Sequence, residues 1–119
     1  MKTWKDLVNE AKKEIGLLQV GEVKEKLDQQ ADFILIDVRE PEEYKKGRIP
    51  EAASIPRGIL EMTIEDQIKD SSKHIILHCG GGGRSAVAAQ SLKRMGYKNV
   101  ASMEGGFKEW MLAGYPIEQ

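Results

Sequence analysis

Cysteine is nearly absent from this chain: Cys79 is the only one in 119 residues. A single thiol cannot close an intramolecular disulfide, which excludes a small secreted scaffold stapled by bridges. Charge of one sign is lacking as well, with 18 basic against 19 acidic side chains and a net charge of −1. A nucleic-acid surface needs a clustered basic excess, so a nucleic-acid partner is not expected. Long apolar runs are missing too. The opening Met1-Lys2-Thr3-Trp4-Lys5-Asp6-Leu7 interleaves charges with apolar residues, unlike a signal peptide, and no segment approaches membrane-spanning length. Internal repeats, low-complexity tracts and linkers are also absent. A soluble cytoplasmic protein is expected, in which a lone thiol stays free for chemistry.

What is present reads as one domain, with 40% hydrophobic residues to supply its core. Thr3 can cap a first helix with Asp6 three residues on, and Trp4, Leu7, Val8, Ala11 and Ile15 recur at helical spacing up to a stop at Gly16. This amphipathic helix, residues 1–16, precedes a main domain over residues 17–119. Burial of its apolar face against that domain is the expected fate of such a stripe. A second helix is expected over Val20–Leu27. Phe33-Ile34-Leu35-Ile36, closed by Asp37, is apolar throughout and reads as a strand buried on both faces. Pro41 to Lys46 suits a short helix with proline near its start. Ala53-Ser54-Ile55 is a short strand candidate, Gly58 to Asp70 permits one or two short helices, and His74 to His78 is a second strong strand. A helix over Ala86–Met95, a strand at Val100-Ala101-Ser102, and a helix from Phe107 to Ala113 complete the pattern. Strands alternating with helices predict an α/β fold: a central parallel sheet of about four to five strands with helices on both faces.

The richest stretch is Cys79-Gly80-Gly81-Gly82-Gly83-Arg84-Ser85. It follows the apolar run Ile75-Ile76-Leu77 and precedes a helix expected to begin near Ser85. Strand, glycine loop and helix N-terminus together build an anion cradle, because the first amides of a helix are unpaired and glycine lets successive amides turn inward. A thiol so placed is expected to ionise readily and act as a nucleophile. Ordering glycine costs about 0.5–1 kcal/mol more than ordering alanine, so four in a row call for positive φ angles or close approach of an anion. Arg84 stands near the positive end of the helix dipole, an arrangement that makes sense if an anion lies between them. It is the only fixed charge of the loop. In open α/β sheets ligands bind beyond the carboxyl ends of the strands, where Asp37-Val38-Arg39-Glu40 and Ile55-Pro56-Arg57-Gly58 also fall. His78 and Cys79, adjacent on an alternating strand, face opposite ways, so joint metal ligation is not expected.

These segments resemble the single-domain rhodanese family, the thiosulfate sulfurtransferase-like proteins. Asp37-Val38-Arg39-Glu40-Pro41-Glu42-Glu43-Tyr44 matches the family's first signature. Gly47-Arg48-Ile49-Pro50-Glu51-Ala52 with Ser54-Ile55-Pro56 stands where members usually carry G-H-I-P-G-A-x-N-I-P. Gly105-Gly106-Phe107 with Trp110, Gly114 and Pro116 matches the closing signature. The resemblance runs from about Leu18 to the C-terminus, leaving the first helix outside it. Four residues separate Cys79 from Arg84, the loop of the sulfurtransferase branch; related dual-specificity phosphatases and arsenate reductases have one more.

The resemblance implies a rhodanese domain whose Cys79 takes sulfane sulfur from a donor such as thiosulfate and holds it as a persulfide. Cyanide or a thiol acceptor would then remove it. The amides of Gly80, Gly81, Gly82, Gly83, Arg84 and Ser85 would stabilise the persulfide, and neither a cofactor nor a metal would be needed. The donor would be a small molecule or a protein persulfide, with no membrane involved. Asp37 and Arg39 are expected to brace the loop or each other. Arg57 either faces the pocket and attracts anionic donors or makes a surface ion pair. A loop without side chains between Cys79 and Arg84 suggests a roomy, weakly charged pocket, less suited to capturing thiosulfate dianion than a loop with an added arginine. The alternatives are a non-enzymatic sulfur carrier or persulfide-sensing module and, disfavoured by loop length, a cysteine phosphatase or arsenate reductase.

Overall fold

A computed structural model describes residues 1–119. Helix α1 (Trp4–Lys12) opens with a reciprocal cap: the Asp6 amide donates to Thr3 Oγ1 at 3.1 Å, and the Thr3 amide donates to the Asp6 carboxylate at 3.0 Å. The helix ends at Lys12, short of the stop expected at Gly16. Gly16 instead begins an edge strand, β1 (Gly16–Leu18), that sequence reasoning missed. The reason is local packing. A Cβ at Gly16 would lie 3.2 Å from Ala101 Cβ and 3.3 Å from the Val100 carbonyl, so glycine here serves close strand pairing.

The remaining elements follow in order: α2 (Val20–Asp28), β2 (Ile34–Asp37), α3 (Pro41–Lys46), β3 (Ala53–Ser54), a 3-10 turn at Arg57–Ile59, α4 (Leu60–Gln67), β4 (Ile75–His78), α5 (Gly83–Arg94), β5 (Val100–Met103) and α6 (Gly106–Leu112). The five strands form one parallel sheet in the order β1-β5-β4-β2-β3. Parallel strands need crossovers, and the helices that supply them bury both faces. On one face Leu60, Ile64, Ala88, Ala89 and Leu92 pack over Ile36, Ile75 and Leu77. On the other, Val23, Phe107 and Trp110 pack over Leu35, Ile76 and Met103. The uniform apolar character of β2 and β4 is thereby explained. No helix is long and apolar enough to cross a membrane.

Helix α1 docks on the domain, with Ala11 fully buried. The Gln90 amide donates to the Glu14 carboxylate at 2.6 Å, Lys93 Nζ donates to the Glu14 carbonyl at 2.9 Å, and Lys12 pairs with Glu104 at 2.9 Å. Helix α5 begins at Gly83, earlier than the Ser85–Ala86 start read from the pattern. Gly82, at φ +104°, is its N-cap, so the left-handed conformation open to glycine turns the loop directly into the helix.

Candidate active site

The carboxyl ends of β2 and β4 lie side by side, with Asp37 paired in register with His78. Cys79 follows His78 immediately, and its side chain is 1% exposed. Two amides from the first turn of α5 and its cap converge on the sulfur: Gly82 N–H donates to Sγ at 3.1 Å and Ser85 N–H at 3.3 Å. Ser85 Oγ lies 3.5 Å from the same sulfur and 2.7 Å from Ser102 Oγ on β5. Of the cradle amides expected over Gly80–Ser85, those of Gly82 and Ser85 aim their N–H groups at Sγ.

A second helix end holds the loop from behind. Phe107 N–H donates to the Cys79 carbonyl at 2.8 Å and Lys108 N–H to the Gly80 carbonyl at 3.1 Å. These bonds anchor the two carbonyls to the N-terminus of α6. The approach is close enough that a Cβ on Gly106 would stand 2.5 Å from the Cys79 oxygen and 2.7 Å from the Gly80 carbonyl carbon and oxygen. This contact gives the closing Gly105-Gly106 motif its role, one its local sequence could not reveal.

The four loop glycines have different reasons to be glycine. Only Gly82 has a positive φ, at +104°. A Cβ on Gly80 would meet Arg84 Nη2 at 3.1 Å, and one on Gly83 would meet Trp4 Cζ2 at 3.3 Å and Val8 Cγ2 at 3.5 Å. Gly81 has open space. Thus Gly83 makes room for α1, which touches the loop where it becomes helix.

Arg84 is paired within the chain: Nη1 donates to Glu43 Oε1 at 2.8 Å and Nη2 to Oε2 at 3.2 Å. These hydrogen bonds hold the Glu43 carboxyl at about 2, helped by the Glu40 amide against the opposing cost of desolvation. They likewise push the Arg84 guanidinium above its ordinary value. Glu43 was missed because its partner is 41 residues away and only the packing of α3 beside the loop brings them together.

Asp37 and Arg39 brace each other. The Arg39 guanidinium donates to both Asp37 oxygens at 2.8–3.1 Å and to the Gly47 carbonyl at 2.7 Å, while its amide caps Asp37 Oδ1 at 3.0 Å. Both residues are buried, and the Arg39 guanidinium lies 4.2 Å over the Phe107 ring. His78 is buried beside them, with Nε2 3.6 Å from Asp37 Oδ2. Burial pushes its pKa below the usual histidine value despite the Asp37 charge. Arg57, the remaining candidate, donates to both oxygens of Glu61 at 2.8 Å, and Glu61 also accepts from Ser91 Oγ at 2.7 Å. The ion pair, one of its two readings, is thus present.

The model of the rhodanese-like domain matches residues 19–113. The chain belongs to the rhodanese-like domain family. A sulfurtransferase of Allochromatium vinosum is 30% identical over 80% of this chain and 87% of its own length. A Bacillus subtilis relative, named "Putative sulfur carrier protein YrkF", is 36% identical over 73% of this chain; the match spans only 46% of that protein's length. Among solved structures, a Rhodopseudomonas palustris protein of unknown function, described as a possible tyrosine phosphatase, superposes with a TM-score of 0.91 at 35% identity. That alignment covers 99% of this chain and 96% of the other. The family-level activity is sulfur transfer or carriage.

Proposed function

We propose that this rhodanese-family chain is a sulfurtransferase that carries sulfane sulfur on Cys79. The observation that carries this reading is the pair of amide hydrogen bonds to Cys79 Sγ, from Gly82 at 3.1 Å and Ser85 at 3.3 Å. They sit in a loop with four residues between cysteine and arginine. In the first step the Cys79 thiolate attacks the outer sulfur of a donor such as thiosulfate. The donor's S–S bond breaks, its electron pair leaves with sulfite, and Cys79 becomes a persulfide. The negative terminal sulfur is then stabilised from the side on which the Gly82 and Ser85 amides point. In the second step a thiolate acceptor, or cyanide in an assay, attacks that sulfur and the Cys79 thiolate is regenerated. A buried Cys79 suits a donor that presents one narrow terminal atom. Asp37 and Arg39 act as positioning residues that hold the strand ends beneath the loop, and Arg84 covers its open side.

Carriage without efficient turnover is the second reading, favoured by the name of the Bacillus subtilis relative. The shorter loop argues against tetrahedral oxyanion chemistry of the phosphatase type. Intact mass after incubation with thiosulfate tests the assignment: wild type gains one sulfur atom, cyanide removes it as thiocyanate, and Cys79→Ser gains none. An adduct that persists in Cys79→Ser, or none on wild type, refutes it. Stoichiometric loading with negligible steady-state turnover selects the carrier.

A further inference from the structure

The feature left unused by this mechanism is the carboxylate facing Arg84. Arg84 lies over the loop, since a Cβ on Gly80 would be 3.1 Å from its Nη2. Both guanidinium nitrogens at that end are occupied by Glu43, at 2.8 and 3.2 Å. Glu43 is itself fixed, because its Oε1 also accepts the Glu40 amide at 2.9 Å in the first turn of α3. An ion pair at this exposure, 38% for each side chain, adds little stability. Its larger consequence is that the rim of the cradle carries a neutral pair instead of a bare cation.

We propose that Glu43 is a specificity-determining residue: by neutralising Arg84 at the rim of the Cys79 cradle, it biases the site against doubly charged sulfur donors and toward singly charged ones. The proposal rests on the sulfur-transfer reading and specifies its donor class. Singly charged donors are persulfides, R–S–S⁻, and thiosulfonates, R–SO₂–S⁻; thiosulfate is the doubly charged one. Each delivers its terminal sulfur to the Cys79 thiolate with cleavage of one sulfur–sulfur bond. Thiosulfate releases sulfite, and a thiosulfonate releases a sulfinate of one charge less. For unit charges about 8 Å apart at an effective dielectric of about 40, one extra negative charge on the donor costs about fivefold, and that is the scale expected for thiosulfate against Glu43.

The test compares kcat/KM for thiosulfate and for benzenethiosulfonate, with cyanide as acceptor, in wild type, Glu43→Gln and Glu43→Asp. The thiosulfate-to-thiosulfonate ratio is expected to rise about fivefold in Glu43→Gln at low salt. That gain should shrink in about 0.5 M salt, where charges are screened over a few ångströms. Glu43→Asp keeps the charge and stays near the wild-type ratio. Arg84→Gln leaves Glu43 unneutralised and should move the ratio the opposite way. A merely structural ion pair would lower both donors together, and an unchanged ratio in Glu43→Gln overturns the proposal. The Cys79 adduct is weighed in the same samples. Adducts with an unchanged ratio refute only the role of Glu43, whereas no wild-type adduct from either donor overturns the sulfur-transfer reading beneath it.

Discussion

Replacing Gly106 by alanine tests how the cradle is held. Gly106 has φ +59°, a left-handed conformation that costs a residue with a Cβ about 1–2 kcal/mol. The new Cβ would also fall 2.5 Å from the Cys79 oxygen and 2.7 Å from two Gly80 backbone atoms. Backbone cannot swing aside like a side chain, so α6 or the loop must retreat. Retreat breaks the Phe107 and Lys108 amide bonds to the Cys79 and Gly80 carbonyls, at 2.8 and 3.1 Å, worth about 1 kcal/mol each. The expected destabilisation is about 3–4 kcal/mol, a large part of a typical domain's stability. Gly114→Ala is the control: its φ is +76°, but its Cβ would meet nothing within 4 Å, leaving only the conformational cost. With a urea slope of about 2 kcal/mol/M, Gly106→Ala should lower the midpoint by about 1.5–2 M and Gly114→Ala by about 0.5–1 M. Folded Gly106→Ala should also load sulfur more slowly, because the carbonyls that lose their anchor belong to the loop holding Cys79. Equal midpoint shifts in the two variants would refute the reasoning.

Two further outcomes follow from the buried groups under the loop. Asp37→Asn strips the buried Arg39 of its counter-charge and should cost about 3–5 kcal/mol; a urea midpoint within 0.5 M of wild type would contradict the pairing. His78 has a folded pKa pushed below its ordinary 6.5, so below that pH the unfolded chain binds a proton that the folded chain refuses. Its contribution is therefore full above pH 6.5 and declines as pH falls toward the folded value, by at most about 1.4 kcal/mol per pH unit. Urea melts at pH 7, 6 and 5 should show this slope in wild type and a flatter one in His78→Gln; parallel slopes would count against a neutral buried histidine.

Much of the fold was legible because its signals are local. Thr3 and Asp6 three residues apart wrote the start of α1, the runs Ile34–Asp37 and Ile75–His78 wrote the central strands, and Pro41 marked the start of α3. Strand β1 escaped because Gly16-Leu17-Leu18 is too short for a period, and its strand state comes from pairing with Ala101–Met103. The start of α5 was misplaced because glycines have low helix propensity, and Gly83 is helical through the left-handed cap at Gly82 and the packing of α1.

The same division runs through the site. Cys79, its glycines and its distance from Arg84 are properties of consecutive residues, and the sulfur-transfer chemistry proposed for Cys79 rests on signals written locally in the chain. Sequence alone could not assign the charge of that loop. Glu43 reaches Arg84 only after β2 and β4 pair and α3 packs beside the loop, and the amides of α6 reach the Cys79 and Gly80 carbonyls only through Gly106. Hydrogen bonds and ion pairs act over a few ångströms, so partners separated in the chain become legible only when tertiary structure brings them into range.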